Sequence, residues 1–187
     1  MKTILSGIKI ILVLILSASA FGQCGVERTQ TKDLKDDISA IHFTAKPMTV
    51  AALRKIPAPA KWGNSIPRLD SEKQVYEVDA QIIGYKYEST GDRDYHVVLS
   101  TVGKPSETMI LEIPHPDCAP KAYKEIFANL RAFIDGLGPH PTPKFVTLKV
   151  PVHVKATGVA FFDKLHGQTG VAPSGIELHP ALSLKKE

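Results

Sequence analysis

The sequence predicts a mainly β domain of five strands, with one helix between the third and the fourth. Three observations carry this expectation. Segments rich in Val, Ile and Tyr alternate apolar and polar residues with a period of two, as Val78, Ala80 and Ile82 do against Glu77, Asp79 and Gln81. One stretch, Tyr123 to Leu137, carries its apolar residues at helical spacing instead. Glycine and proline clusters separate each segment from the next.

Residues 1–20 read as a secretory signal peptide. Lys2 and Lys9 supply positive charge without an acid, Ile10 to Leu16 is an unbroken apolar run, and Ala18-Ser19-Ala20 has the small residues a signal peptidase requires. A membrane-spanning helix needs about 20 apolar residues, and Lys9 interrupts the run. Gly22-Gln23 is a poor context for lipid attachment at Cys24. The expected location is the periplasm or the exterior of the cell, with no membrane association after cleavage.

Residues 21–73 read as an irregular N-terminal extension. Its one expected element is a short helix over Val50–Ile56 capped by Thr49, ended by Pro57, Pro59, Gly63, Asn64 and Pro67. Residues 74–187 hold the β domain. Its first strand runs from Val75 to Glu88, and Gly84 within it marks a bulge or sharp coil. The second strand is Tyr95 to Thr101. A turn over Gly103–Ser106 leads to the third, Thr108 to Ile113, which Pro114 and Pro116 end. Pro120 fits the first turn of a helix whose apolar stripe is Tyr123, Ile126, Phe127, Leu130, Phe133, Ile134 and Leu137. Gly136 and Gly138 stop that helix. Phe145 to Phe162 is the fourth strand, with a bend or edge at Pro151, and Ile176 to Leu184 is the fifth. This order matches a small five-stranded OB-like barrel (oligonucleotide/oligosaccharide-binding type), and Gly84 suits a first strand that curls into both halves of it. Another small barrel, or an α+β sandwich with the helix on one face, is the alternative.

The chain carries 23 basic and 19 acidic residues. Without Lys2 and Lys9, 21 basic residues stand against the same 19 acidic ones, so the mature protein has no strong nucleic-acid signature. There are two cysteines, Cys24 and Cys118. In an oxidising compartment they are expected to form a disulfide, with two free thiols as the alternative. Cys-x-x-Cys spacing for a metal is absent.

Polar side chains cluster in three places: Gly91 to His96, Glu112 to Asp117, and Asp163 to Thr169 with Glu177 and His179 on the following strand. In an OB fold the loops between strands one and two and between four and five flank the usual ligand face, so the first and third clusters are expected to converge. Asp94, His96, His166, Glu177 and His179 are the candidate ligand-binding residues. Asp94 and His96 share a strand face, as do Glu177 and His179. Asp94, His96, His166 and His179 are acceptable metal ligands, but none lies in a metal-binding motif, so no metal and no cofactor is expected. The catalytic signals are weak. Arg93 and Lys164 are neutralised by Asp92, Asp94 and Asp163, and Ser174 lacks a nucleophile elbow. The Gly167–Gly175 stretch has no phosphate-loop pattern. Tyr76, Tyr85, Tyr87 and Lys86 offer stacking and charge to an oligonucleotide, against the simpler role of packing the domain.

Several phrases resemble a family of uncharacterised exported bacterial proteins: Gly91-Asp92-Arg93-Asp94-Tyr95-His96, Thr108-Met109-Ile110-Leu111-Glu112-Ile113-Pro114, His166-Gly167-Gln168-Thr169-Gly170-Val171-Ala172-Pro173 and Ile176-Glu177-Leu178-His179-Pro180. The resemblance covers most of the mature chain, Cys118 included. It implies export and carries no activity or site residue with it. The functional expectation is a non-enzymatic OB-like binding module for an oligonucleotide, a glycan or a protein. A small nuclease-like hydrolase with its site at the barrel mouth, and a structural or protein-interaction module, are the alternatives.

Overall fold

The computed structural model describes residues 24–187, so the signal peptide expected over residues 1–20 lies outside the described residues. The strands are β1 (His42–Thr49), β2 (Gln74–Tyr87), β3 (Tyr95–Thr101), β4 (Lys104–Ile113), β5 (Val146–Phe162) and β6 (Ile176–Lys186). The α-helices are α1 (Thr29–Lys32), α2 (Val50–Leu53) and α3 (Lys121–Asp135). The strands form one mixed sheet in the order β1-β2-β3-β4-β6-β5, and β5 pairs back onto β2. Hydrogen bonds therefore run in a closed ring through β2, β3, β4, β6 and β5. The ring closes where β4 meets β6 in parallel, Ile110 beside Glu177 and Leu111 beside Leu178.

Six strands replace the expected five. The additional one, β1, lies in the N-terminal segment expected to be irregular, and it pairs in parallel with the first half of β2. Nearly all its residues are exposed, so it is a strand by backbone hydrogen bonding and buries no alternating face. Val50 and Leu53 of α2 join the same core as the ring, and Thr49 Oγ1 caps α2 by accepting from the Ala52 N–H at 3.0 Å.

Local chemistry explains the curvature. The pairing of β2 shifts between Ile82 and Gly84 against both neighbours. A Cβ on Gly84 would sit 2.5 Å from the Val146 carbonyl oxygen, so only glycine allows β5 that close. Opposite this point β5 makes a wide excursion between Thr147 and Val152. Pro151, which has no N–H to donate, lies within it, and Val150 is 76 % exposed. In α3 the buried stripe is Phe127, Leu130 and Ile134, while Ile126 faces solvent.

The two faces of the ring differ in content. Tyr95, Val97 and Leu99 of β3, Met109, Leu111 and Ile113 of β4, and Ile176 and Leu178 of β6 belong to the apolar core. With a strand period of two, His96 and Val98, Ile110 and Glu112, Phe161, Glu177 and His179 point to the other side. They are buried nonetheless, because two segments cover that outer face. One is the loop 163–175, where a Cβ on Gly170 would strike Val98 Cγ1 at 2.4 Å. The other is an N-terminal strap, residues 24–36.

The strap is held at several points. Cys24 is disulfide-bonded to Cys118, with Cα atoms 5.5 Å apart, as expected of an oxidising compartment. Arg28 donates through both terminal nitrogens to Glu72 at 2.6 and 2.7 Å. The fully buried Glu72 also accepts from the Phe162 and Leu69 backbone N–H groups at 2.9 and 2.8 Å. Arg68 donates to both carboxylate oxygens of Asp36 and to the Thr31 carbonyl. Among the described residues, no helix is long and apolar enough to cross a membrane.

Candidate functional site

The β2–β3 loop, the ends of β3, β4, β5 and β6, and the strap enclose a pocket of roughly 250 Å³ on the outer face of the ring. The five candidate residues Asp94, His96, His166, Glu177 and His179 all line it. The segments near residues 94 and 166 therefore meet, but on the outside of the sheet, beneath covering loops, and not in the mouth of the ring. Four of the five are buried at 1–2 % exposure, whereas the His166 side chain is 58 % exposed at the rim.

His179 is the centre of this arrangement. Its Nδ1 lies 2.9 Å from Glu177 Oε1, and its Nε2 forms an ion pair with Asp94 Oδ2 at 3.2 Å. Burial alone would lower its pKa. The carboxylates of Asp94 and Glu177 outweigh burial and push it up to about 10, so the ring is an imidazolium held between two acids, hydrogen-bonded to Glu177 and ion-paired with Asp94. It packs on Phe161, with ring centroids 5.4 Å apart.

His96 stands directly across the β3–β4 ladder from Glu112. Its Nδ1 is 2.7 Å from Glu112 Oε1 and its Nε2 is 2.8 Å from the Thr169 carbonyl oxygen. A carbonyl only accepts, so Nε2 carries a proton and donates to it. Burial pushes the Glu112 carboxyl well above its usual range, helped by the negative charges of Glu177 and Asp94, and burial pulls His96 down. The pair therefore holds one further proton between Glu112 and His96 Nδ1 and is neutral as a unit. Glu177 is likewise raised by burial.

At the strap side, Lys32 Nζ lies 2.6 Å from Asp92 Oδ2 and 3.7 Å from Asp163 Oδ1. Gln168 fixes Asp163 by donating to its Oδ2 at 3.0 Å, and spans the loop by donating to the Lys164 carbonyl. Even so, Asp94 Oδ1, Glu112 Oε2 and Asp163 Oδ1 are buried with no hydrogen-bond donor. Unpartnered buried acceptors are costly, and these three line one pocket. Carboxyl groups outnumber cations there. Glu27, Asp92, Asp94, Asp163 and Glu177 face Lys32 and His179, with the Glu112–His96 pair neutral and Glu88 paired with Lys86 at 2.6 Å. Among the described residues, no group of three or more His, Cys, Asp or Glu is arranged to hold a metal ion.

Other sequence candidates fall outside this pocket. His115 bonds to Arg93 at 2.8 Å, away from it. Tyr76 and Tyr85 belong to the apolar core, and Tyr85 donates to the Pro139 carbonyl. A larger cavity, roughly 770 Å³, lies between the strap and residues 64–68. Its cationic Arg28 and Arg68 are already consumed by Glu72 and Asp36.

Sequence reasoning missed Glu112 and Lys32 as site residues. A tight turn at Val102–Gly103 would by itself set His96 opposite Met109. The register shift between Ser100 and Thr101 brings Glu112 there instead, and no sequence signal specifies that shift. Lys32 arrives from a segment 60 positions before its partner Asp92. Comparison with known protein families, curated proteins and solved structures finds no match to this chain.

Proposed function

We propose that the ring is an OB-like barrel and that the protein is an exported binding module whose outer-face pocket receives a small organic cation, an ammonium or guanidinium group. The architecture supports the first part. The ring order β2-β3-β4-β6-β5 closes on β2, β4 and β6 are parallel, and α3 lies between β4 and β5 in sequence. The pocket lies on the outer face of the second and third ring strands, beside the loops joining the first to the second and the fourth to the fifth, where OB domains bind ligands.

The observation that carries the ligand class is the set of buried acceptors without donors, Asp94 Oδ1, Glu112 Oε2 and Asp163 Oδ1, in a pocket with an excess of carboxylates. A cation with several N–H donors satisfies the hydrogen bonding and the charge together. A polyanion such as an oligonucleotide meets the wrong sign of potential there, and the tyrosines that would stack its bases are largely taken up by the core.

Calorimetric titration with n-butylguanidinium and n-butylammonium chloride tests this, with a neutral oligosaccharide and single-stranded DNA as comparisons. Binding of either cation that weakens as salt is added is the expected result. Binding of the saccharide or DNA with neither cation bound would overturn it.

A hydrolase reading draws on one observation: Glu112, whose carboxyl is pushed toward the protonated form by burial and by the charges of Glu177 and Asp94, lines the same pocket as Asp94, and acid–base catalysis uses such a pairing of carboxyl groups. Turnover of a glycoside or phosphodiester substrate that Glu112→Gln abolishes would favour it over the binding module.

A further inference from the structure

Lys32 already stands where a cationic ligand would. It closes α1, and its side chain is only 8 % exposed. Its ammonium sits 2.6 Å from Asp92 and 3.7 Å from Asp163, and 5.6 Å from the centre of the Phe161 ring. Its surroundings are held from every side. The Arg28–Glu72 pair and the Arg68–Asp36 pair fix the backbone before and after it. The Cys24–Cys118 bond ties the start of the strap to the chain just before α3. Gly25, next to that bond, packs so closely on Asp92 that a Cβ there would overlap its Oδ1 at 1.6 Å. The strap therefore positions both the ammonium and one of the carboxylates that bind it.

One ammonium does not satisfy this pocket. With Lys32 in place, Asp163 Oδ1 still lacks a hydrogen-bond donor, as do Asp94 Oδ1 and Glu112 Oε2. A second cation entering the pocket would share Asp163 with Lys32 and would be repelled by it at short range, inside a partly buried site where screening is weak.

We infer that Lys32 is an internal occupant of the site: the strap's own ammonium, held by Asp92, competes with the external cation for Asp163 and sets how tightly that cation binds. This rests on the reading of the pocket as a cation site. Occupancy by the external ligand then loosens Lys32 from its carboxylates, and the strap becomes the element through which binding is felt elsewhere in the molecule.

The test uses the full mature chain with its disulfide intact and n-butylguanidinium as the probe. Lys32→Met is expected to bind the probe about tenfold more tightly than wild type, with the gain shrinking as salt is added, and Lys32→Arg is expected to bind as wild type does. A second measurement needs no variant. Acetylation of Lys32 by an amine-reactive ester, mapped by mass spectrometry, should be slow in the free protein and several-fold faster with the probe at saturation. Lys32→Met binding no tighter than wild type, or Lys32 labelling unchanged or slowed by the probe, would overturn the inference while leaving the cation site standing. Failure of the probe to bind either wild type or Lys32→Met would overturn the cation site itself.

Discussion

His179 is buried between the carboxylates of Glu177 and Asp94, and its proton is part of the fold. Its pKa rises from 6.5 to about 10 on folding. The stability this proton contributes is complete below pH 6.5 and is lost as the pH rises toward 10. The melting temperature of wild type should therefore fall across that interval. His179→Gln should melt lower at pH 6.5 and lose most of that slope, which thermal denaturation at a series of pH values checks. An unchanged slope in the variant would mean that the imidazolium is not the titrating group. This pair of residues was legible in the sequence, because Glu177 and His179 are two apart on a strand and must share a face. Glu112 was visible as an acid near a strand end, but its place opposite His96 depends on a register shift that only the folded ladder reveals.

At the scale of elements, the strap is anchored by charge. Removing Glu72 leaves the Arg28 guanidinium buried without its bidentate partner and two backbone N–H groups without an acceptor. Breaking such a pair from one side costs about 3–5 kcal/mol. Glu72→Ala should shift the urea midpoint accordingly, and Lys32 should become accessible to amine-reactive labelling without any ligand. Arg28 and Glu72 are 44 positions apart, and both sit in polar stretches that give no periodic signal, so the sequence offered no reason to join them. The strand β1 was hidden for a related reason. Its side chains are exposed along nearly its whole length, and a strand that buries no face leaves no alternation to find. Gly84 was legible because a glycine inside an otherwise alternating strand needs a steric cause, and the Val146 carbonyl supplies one.

For the whole molecule, the order of the five ring strands and the place of α3 were readable from alternation, helical spacing and punctuation. Ring closure was expected from that order alone; the pairing that makes it, a short parallel contact between β4 and β6, joins strands separated in sequence by a helix and another long strand and leaves no local mark. The disulfide spans 94 positions and typically would contribute about 2–4 kcal/mol. Urea unfolding with and without reductant should differ by that amount. Reduction should also remove much of the probe discrimination between wild type and Lys32→Met, since the strap then loses its outer tether.

The strap's partners also fix an order of events. Cys24, Arg28 and Lys32 leave the ribosome before their partners, and they wait for Glu72, Asp92, Cys118 and finally Asp163, which follows the longest strand. The earliest-made of the described segments is thus the last to be secured. A chain truncated anywhere before Asp92 would carry the Lys32 ammonium with neither of its carboxylate partners.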